Sequence, residues 1–288
     1  MNEFLEILFG ILNYKYNEDN NYLINSYSPI KFKNYFIENH QNFKEGQQDA
    51  IEFLRVLLDN ISMETNRNKV KVEYKELNLK DKSKKIQNDE YHKYYLSRED
   101  SIITDLFYIQ IINIFTCKCG KETYSFQKLF NILLLIPREA KESKLEDFLF
   151  IFLNTINVSL KEKCKDCNKN KTNIEKHMTL GILNDIVIFS LQRLDPLLSV
   201  KSNIRIYFPD IIDLKLFADE LIQNDNLKYR LFGTIHYNVS IQYGHYYSLI
   251  KIKNEWFEFN DSLVTKKEIM EYNSNNVCIL FYEKIKFN

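Results

Sequence analysis

The chain has 288 residues, 45% of them hydrophobic and 14% aromatic, and its 39 basic residues balance its 39 acidic ones. This composition excludes a disordered chain, and the zero net charge provides no overall field that would select nucleic acid or an anionic membrane as partner. The sequence has no apolar run of membrane-spanning length and no signal peptide, so we expect one intracellular domain, cytoplasmic or nuclear, with reduced cysteines.

The first third of the chain is predicted to be helical. Apolar residues at helical spacing predict an amphipathic helix over residues 1–12, and a polar loop over 13–27 separates it from a short helix over 28–36. A longer helix is predicted over residues 46–59. Asp49 lies at its start, where a carboxylate caps free N–H groups, so a helix cap is the simplest interpretation of this residue. The apolar stripe that predicts this helix consists of Ala50, Phe53, Leu54, Leu57 and Leu58.

The middle of the chain combines a charged segment with two cysteine pairs. Residues 67–100 are lysine-rich and weakly patterned, and we predict a solvated, partly mobile insertion. Residues 101–115 are apolar and β-branched, which predicts a buried strand or a short helix that leads into one, and a further strand pattern covers 122–136. Two close cysteine pairs at hairpin tips can bring four thiolates to one tetrahedral zinc ion. Because the first pair has the tighter CxC spacing, unmetallated thiols remain the alternative. The four cysteines are Cys117, Cys119, Cys164 and Cys167.

The remainder of the chain is predicted to be mostly β. A helix is predicted over residues 145–152, and Cys278 lies within an apolar run, where it is interpreted as a core residue. Single strands are predicted over 182–191, 201–209, 229–239 and 276–283, and a hairpin of 245–253 and 255–259 turns at Lys253-Asn254.

The predicted hairpin carries polar residues suited to catalysis. His245 lies near the start of its first strand, and Asn260 and Asp261 follow at the end of its second strand. A histidine on one strand and an Asn or Asp at the end of the next can meet across a hairpin. That arrangement is the general-base half of a nucleophile–base–orienter triad.

Taken together, these motifs resemble the ubiquitin-specific protease family, the papain-like deubiquitinases. GQQDAIEFLRVLLD resembles the family's Gln-Gln-Asp-Ala-His-Glu-Phe helix, with Ile51 at the usual histidine, and SIITDLFYIQ resembles its Ser-x-Ile-x-x-Leu-Phe-x-Gly-Gln segment, with Ile109 at the usual glycine. DIVIFSLQRL and KSNIRIYFPDIIDL resemble its Leu-x-Arg-Phe and Phe-Pro-x-x-Leu-Asp-Leu box, and the cysteine pairs resemble its zinc fingers. GHYYSLIKIKNEWFEFNDSLV resembles its Gly-His-Tyr…Trp-x-x-Phe-Asn-Asp-Ser-x-Val box. Their order and rough spacing also agree with the family.

The resemblance implies an α+β fold with the papain-like thumb–palm–fingers architecture in a single domain over residues 1–288. Residues 1–66 would form the helical thumb and 67–100 the charged insertion. Residues 101–190 would include β zinc-ribbon fingers, and 191–288 would form an antiparallel β palm that carries the histidine. The implied partner is ubiquitin or a ubiquitin-like protein, and the implied cofactor is a structural zinc ion, with no catalytic cofactor.

The resemblance also assigns roles to individual residues. His245 would activate a thiol, Asn260 would orient its imidazole, and Asp261 would be a second polar partner. Asp49 and Glu52 would contact the basic C-terminal tail of ubiquitin, since carboxylates bind arginine through charge-assisted hydrogen bonds, and Gln48 would also bind ubiquitin. The alternative for Glu52 is an exposed helix carboxylate.

The sequence departs from the family pattern at the nucleophile. The family's cysteine lies in an Asn-Thr-Cys-x-x-Asn-Ser box before the Gln-Gln-Asp helix, whereas no cysteine of this chain precedes Cys117. Met1-Asn2 aligns with the Met-Asn of the family's Cys-Tyr-Met-Asn-Ser, so we expect that the start was set at an internal methionine just after the nucleophile. The alternatives are a pseudo-enzyme that binds ubiquitin and a chance similarity of an apolar helix.

Overall fold

The computed structural model describes residues 28–286 except 45, 71, 80, 138–141, 162, 195–200, 240–243 and 269. The predicted helix over 1–12 and loop over 13–27 lie outside the described residues. The described helices are α1 (Ile30–Asn39), α2 (Ala50–Glu64), α3 (Lys84–Arg98), α4 (Ile102–Phe107) and α5 (Leu145–Leu153). The described strands are β1 (Ile109–Thr116), β2 (Glu122–Leu129), β3 (Ile132–Leu135), β4 (Glu142–Lys144), β5 (Ile156–Val158), β6 (Ile174–Leu183), β7 (Ile186–Gln192), β8 (Arg205–Tyr207), β9 (Ile211–Asp213), β10 (Lys228–Val239), β11 (Gly244–Ile252), β12 (Glu255–Asn260), β13 (Leu263–Lys267), β14 (Asn273–Ser274) and β15 (Val277–Lys284).

The strands form three sheets. The largest has the order β13-β12-β11-β10-β15-β7-β3, with β9 paired to β10. Its pairs are antiparallel except β3 with β7. A second antiparallel sheet of order β2-β1-β6-β5 carries the cysteine pairs near its strand ends, and a small sheet joins β14, β8 and β4. The fold is therefore α+β with predominantly antiparallel sheets, as the sequence predicts.

Helix α2 packs across the largest sheet. Its carboxylate cap, Asp49, accepts hydrogen bonds from the first turn, and its apolar face includes Leu58, which is 5% exposed. This face contacts Ile188 of β7 and Ile279 of β15, both fully buried. Each Å2 of apolar surface buried in this contact contributes about 25 cal/mol of stabilisation, which holds the helix against the sheet. The packing brings the N-terminus of α2 to the start of β11.

Part of the charged segment over residues 67–100 departs from the prediction of a solvated, partly mobile insertion. Lys84–Arg98 form the 15-residue helix α3, which Ser83 caps. Tyr91 packs on Phe126 of β2 with 5.4 Å between ring centroids, and Tyr95 packs on Tyr108 at 5.1 Å. Tyrosines four residues apart lie on one helix face, so the lysine-rich composition concealed an aromatic docking face.

Other strand and helix predictions have mixed outcomes. Residues 101–115 form α4 followed by β1, which confirms a short helix that leads into a buried strand. The pattern over 122–136 instead divides into β2 and β3, which belong to different sheets, and 182–191 breaks between β6 and β7. The turn at Lys253 and Asn254 is confirmed, with φ of 49° and 67°. Positive φ at both central residues matches a two-residue hairpin turn.

Across the described ranges, no helix combines the length and apolarity needed to cross a membrane.

Candidate active site and cysteine cluster

The pairing of β11 with β12 brings His245 to Asn260. Ser248 lies opposite Phe259 in this antiparallel register. His245 Nε2 lies 2.7 Å from Asn260 Oδ1. Because an amide oxygen only accepts hydrogen bonds, Nε2 is the donor in this contact. The contact orients the imidazole so that Nδ1 is the nitrogen not bound to Asn260, and the His245 side chain is 45% exposed.

Asp261 lies farther from the imidazole than Asn260. Its Oδ2 atom is 3.9 Å from His245 Nε2, and its side chain is 81% exposed. That separation is too long for a hydrogen bond. Asp261 also has a φ of 53°, in the left-handed region that Asn and Asp tolerate in turns. Asn260 is therefore the residue that orients the ring in this structure, and Asp261 contributes a nearby negative charge.

The predicted ubiquitin-contacting residues lie at the start of α2. Asp49 Oδ1 accepts hydrogen bonds from the N–H of Ile51 at 2.7 Å and of Glu52 at 3.0 Å, which confirms the helix cap. Glu52 is exposed, and its Oε1 accepts from Asn42 Nδ2 at 3.2 Å. Gln48 precedes the cap and is half-buried. The contact of these three side chains with ubiquitin stays a prediction.

A contact between α2 and β11 was missed by the sequence reasoning. The Gln47 side chain forms two hydrogen bonds with the backbone of Gly244, and the N–H of Ala50 donates to the hydroxyl of Tyr246 at 3.4 Å. These contacts flank His245 on both sides. Since the partners are 197 and 196 residues apart, no local sequence signal reveals them.

The buried side chain of His236 packs against β11. Tyr247 stacks on His236 with 4.9 Å between ring centroids and an interplanar angle of 15°. Burial, with the nearby cations Arg193 and Lys201, lowers the pKa of His236 to about 4, so its imidazole is neutral at physiological pH. Tyr247 and His236 also line a cavity of about 290 Å3 beside Glu258. The strand that carries His245 therefore packs, through Tyr247, against the uncharged imidazole of His236.

The four predicted metal ligands lie together. Cys117 Sγ is 3.8 Å from Cys167 Sγ, Cys119 Sγ is 3.6 Å from Cys164 Sγ, and all four sulfurs lie within 4.8 Å of one another. In a tetrahedral site with Zn–S bonds of about 2.3 Å, neighbouring sulfurs are about 3.8 Å apart. The tight first pair is accommodated because Gly120 takes a φ of 86°. The cluster thus fits a zinc ion.

The fifth cysteine lies in the core. Cys278 is 5% exposed, and its thiol donates to the carbonyl of Ile235 at 3.3 Å. Burial raises the pKa of Cys278 to about 12, which disfavours the nucleophilic thiolate. Its interpretation as a core residue is confirmed.

The chain is similar to known proteins over nearly its whole length. The family model "Ubiquitin carboxyl-terminal hydrolase" matches residues 3–282. The chain is 30% identical to ubiquitin carboxyl-terminal hydrolase 2 of Gallus gallus over 90% of this chain and 74% of that protein. It is 26% identical to ubiquitin carboxyl-terminal hydrolase Usp2 of Drosophila melanogaster over 91% of this chain but only 28% of that protein.

Solved structures show the same fold. The SAGA Ubp8/Sgf11/Sus1/Sgf73 DUB module bound to ubiquitin aldehyde aligns with a TM-score of 0.62 at 20% identity, over 88% of this chain and 52% of that chain. The SAGA DUB module bound to monoubiquitin aligns with a TM-score of 0.64, also at 20% identity, over 88% of this chain and 52% of that chain. This chain thus spans about half of those solved chains. The likeness confirms the papain-like architecture predicted from the motifs.

Proposed function

The chain belongs to the ubiquitin carboxyl-terminal hydrolase family, and we propose on that basis that His245 is the general base for thiol-dependent hydrolysis at the C-terminal glycine of ubiquitin or a ubiquitin-like protein. One observation carries the proposal: the 2.7 Å contact between His245 Nε2 and Asn260 Oδ1. It leaves Nδ1 as the basic atom, and a base held in one tautomer by a neighbour is what activation of a thiol requires.

The nucleophile is the missing component of this site. The first cysteine of the sequence is Cys117, which lies in the cysteine cluster with three others, and Cys278 is buried. We propose that these 288 residues bind ubiquitin without hydrolysing it. Hydrolysis needs a nucleophilic thiol beside His245, and the coding DNA read upstream in the same frame tests whether one is encoded there. An Asn-x-Cys-Tyr directly before Met1 supports an enzyme, and a nearby stop codon supports a ubiquitin-binding pseudo-protease.

The 288-residue chain is expected to release no fluorophore from ubiquitin that carries a fluorogenic amide at its C-terminus. The physical reason is that His245 has no thiol to deprotonate, and polarisation alone supplies little rate. The measurement is fluorescence over hours at enzyme excess, with and without thiol alkylation. Turnover that alkylation abolishes would show that one of the five cysteines is the nucleophile. Turnover that survives alkylation would contradict a thiol mechanism altogether.

Binding of ubiquitin is expected to depend on the charge of Asp49. Asp49→Asn keeps the helix cap, because Asn and Asp cap equally well, but it removes the carboxylate that would pair with the basic tail. A hydrogen bond to a charged group contributes about 1.5–3 kcal/mol, so the dissociation constant should rise about tenfold or more. Isothermal titration calorimetry with ubiquitin measures this change.

A matched control lies on the same helix. Asp59 forms an exposed i,i+4 ion pair with Arg55 at 3.7 Å, away from the start of α2. Asp59→Asn removes the same charge and should leave ubiquitin affinity unchanged. Equal affinity of wild type and Asp49→Asn, with ubiquitin still bound, would restrict Asp49 to its capping role.

We further propose that the cysteine cluster binds one structural zinc ion. The sulfur spacings of 3.6 and 3.8 Å support this ion, and its four thiolate ligands leave no open position for catalysis. Zinc would hold the tips of the fingers together, whereas the chemistry at His245 needs no cofactor. Close cysteine pairs that bind zinc, rather than form disulfides, are typical of a reducing compartment, and we therefore propose an intracellular location, cytoplasmic or nuclear.

A further inference from the structure

We propose that Gln47 is a positioning residue that fixes His245 relative to the N-terminus of α2. Gln47 Nε2 donates to the carbonyl oxygen of Gly244 at 2.8 Å, and Gln47 Oε1 accepts from the N–H of Gly244 at 2.9 Å. One side-chain amide thus satisfies both backbone groups of the residue before His245. It acts as a neighbouring strand would, at the point where β11 begins.

A second contact fixes the residue after His245. The hydroxyl of Tyr246 accepts from the N–H of Ala50 at 3.4 Å, and the Tyr246 ring stacks on Tyr237 with centroids 4.5 Å apart. Successive side chains of a strand point to opposite faces. Tyr246 therefore points toward α2, while His245 points to the other face and meets Asn260. Both neighbours of the imidazole are attached to the same helix start.

Gly244 needs such an external contact. A Cβ atom at this position would overlap the hydroxyl and ring of Tyr237, so only glycine fits against that ring. Glycine is also the residue with the greatest backbone freedom, and it provides no side chain to fix the strand. The amide of Gln47 replaces the missing restraint. Pairing with β10 holds one edge of β11 at Gly244 and His245, and Gln47 binds Gly244 in addition.

The requirement is specific to an amide. Gln47→Glu keeps the length of the side chain but places a carboxylate oxygen against the Gly244 carbonyl, so one hydrogen bond is lost and a repulsion replaces it. Gln47→Leu removes both hydrogen bonds. Gln47→Asn keeps the amide on a shorter stem, so it should rescue part of the effect. Both hydrogen bonds join the Gln47 side chain to the Gly244 backbone. Gly244 has no side chain that could replace a lost hydrogen bond.

Nuclear magnetic resonance of the whole 288-residue chain tests the proposal. In the wild type, the His245 ring nitrogens should report a single tautomer protonated at Nε2, and the Gly244 amide should exchange slowly. Gln47→Leu and Gln47→Glu should speed amide exchange at Gly244 about fivefold to tenfold per lost hydrogen bond. They should also shift the His245 signals toward the mixture of tautomers of a free imidazole. Gln47→Asn should give intermediate values.

Two comparisons separate positioning from a general loss of structure. His92 is an internal reference, because it packs on Tyr108 with 5.0 Å between ring centroids and its signals should move only if the fold itself changes. Gln41→Leu is the matched control, since Gln41 Nε2 donates to the exposed carbonyl of Glu38 at 3.2 Å. His245 signals that are identical in wild type and Gln47→Leu would overturn the proposal. The positioning role of Gln47 rests on the proposed role of His245 as base. Because the resonance measurement needs neither ubiquitin nor turnover, the role of Gln47 and the role of His245 can be disproved separately.

Discussion

Arg193→Met is expected to destabilise the domain by about 3 kcal/mol or more. Arg193 is 3% exposed, and its guanidinium donates to four backbone carbonyls. Two belong to the segment before β8, one to the end of β14 and one to the first residue of β15. Methionine fills similar volume but donates nothing, so the carbonyls lose their donor inside the protein. The four acceptors are the carbonyl oxygens of Ser202, Ile204, Ser274 and Val277.

Arg193 also connects the core to the candidate site. The carbonyl of Ser274 accepts a hydrogen bond from Arg193, and Ser274 Oγ lies 3.4 Å from His236 Nδ1. His236 in turn stacks on Tyr247, two residues after His245. Loss of the guanidinium should therefore loosen β11 as well as lower the free energy of unfolding.

Urea denaturation followed by circular dichroism measures this effect as a lower transition midpoint at an unchanged slope. Arg193→Lys keeps the charge but offers three donors without the planar fork, so it should recover only part of the stability. The matched control is Arg55→Met, because Arg55 is 58% exposed in a surface ion pair and should contribute less than about 1 kcal/mol. A midpoint for Arg193→Met within error of wild type would show that water replaces the guanidinium at no cost.

Removal of zinc is expected to unfold the tips of the fingers. The purified chain should contain about one zinc per molecule, and Cys164→Ser should contain almost none, because a structural site needs all four thiolates. A zinc ion at the four cysteines would hold the β1–β2 hairpin to the segment between β5 and β6 through two short cysteine turns. Zinc contributes about 10–16 kcal/mol of apparent binding free energy to isolated finger peptides, so its loss outweighs the few other contacts at these tips.

Metal content by plasma mass spectrometry and hydrogen exchange in β2 and β6 measure this prediction. A chelator such as 1,10-phenanthroline should reproduce Cys164→Ser in the wild type. Cys278→Ala is the matched control, because Cys278 lies in the core and its replacement should leave the zinc content at one. Wild-type protein that is fully reduced yet free of zinc, with slow exchange in β2 and β6, would contradict the proposed site.

The sequence was informative wherever a signal lay within a short stretch. The alternating residues around Lys253-Asn254 predicted the hairpin correctly, and positive φ at both turn residues explains why Asn suits the second position. The cysteine spacing predicted one cluster, and the sulfurs do converge. The motif from Gly244 to Val264 predicted that His245 meets Asn260, and the 2.7 Å contact follows from strand pairing.

Predictions were weaker where composition masked packing. Residues 84–98 carry many charges, yet Tyr91 and Tyr95 are enough to dock α3 against β2 and the start of β1. The strand pattern over 122–136 gave no sign that β2 and β3 belong to different sheets, since the sequence of a strand does not encode which strand it pairs with.

The sequence by itself determined the family, the strand that carries His245 and the members of the cysteine cluster, because each depends on residues that are close along the chain. The tertiary structure added the 2.7 Å contact between His245 and Asn260 and placed Asp261 beyond hydrogen-bonding distance. It alone identified Gln47 as the partner of Gly244 and four carbonyls as the partners of Arg193. The physical reason is that these hydrogen bonds join distant segments, and their geometry exists only after α2 and the sheets have packed.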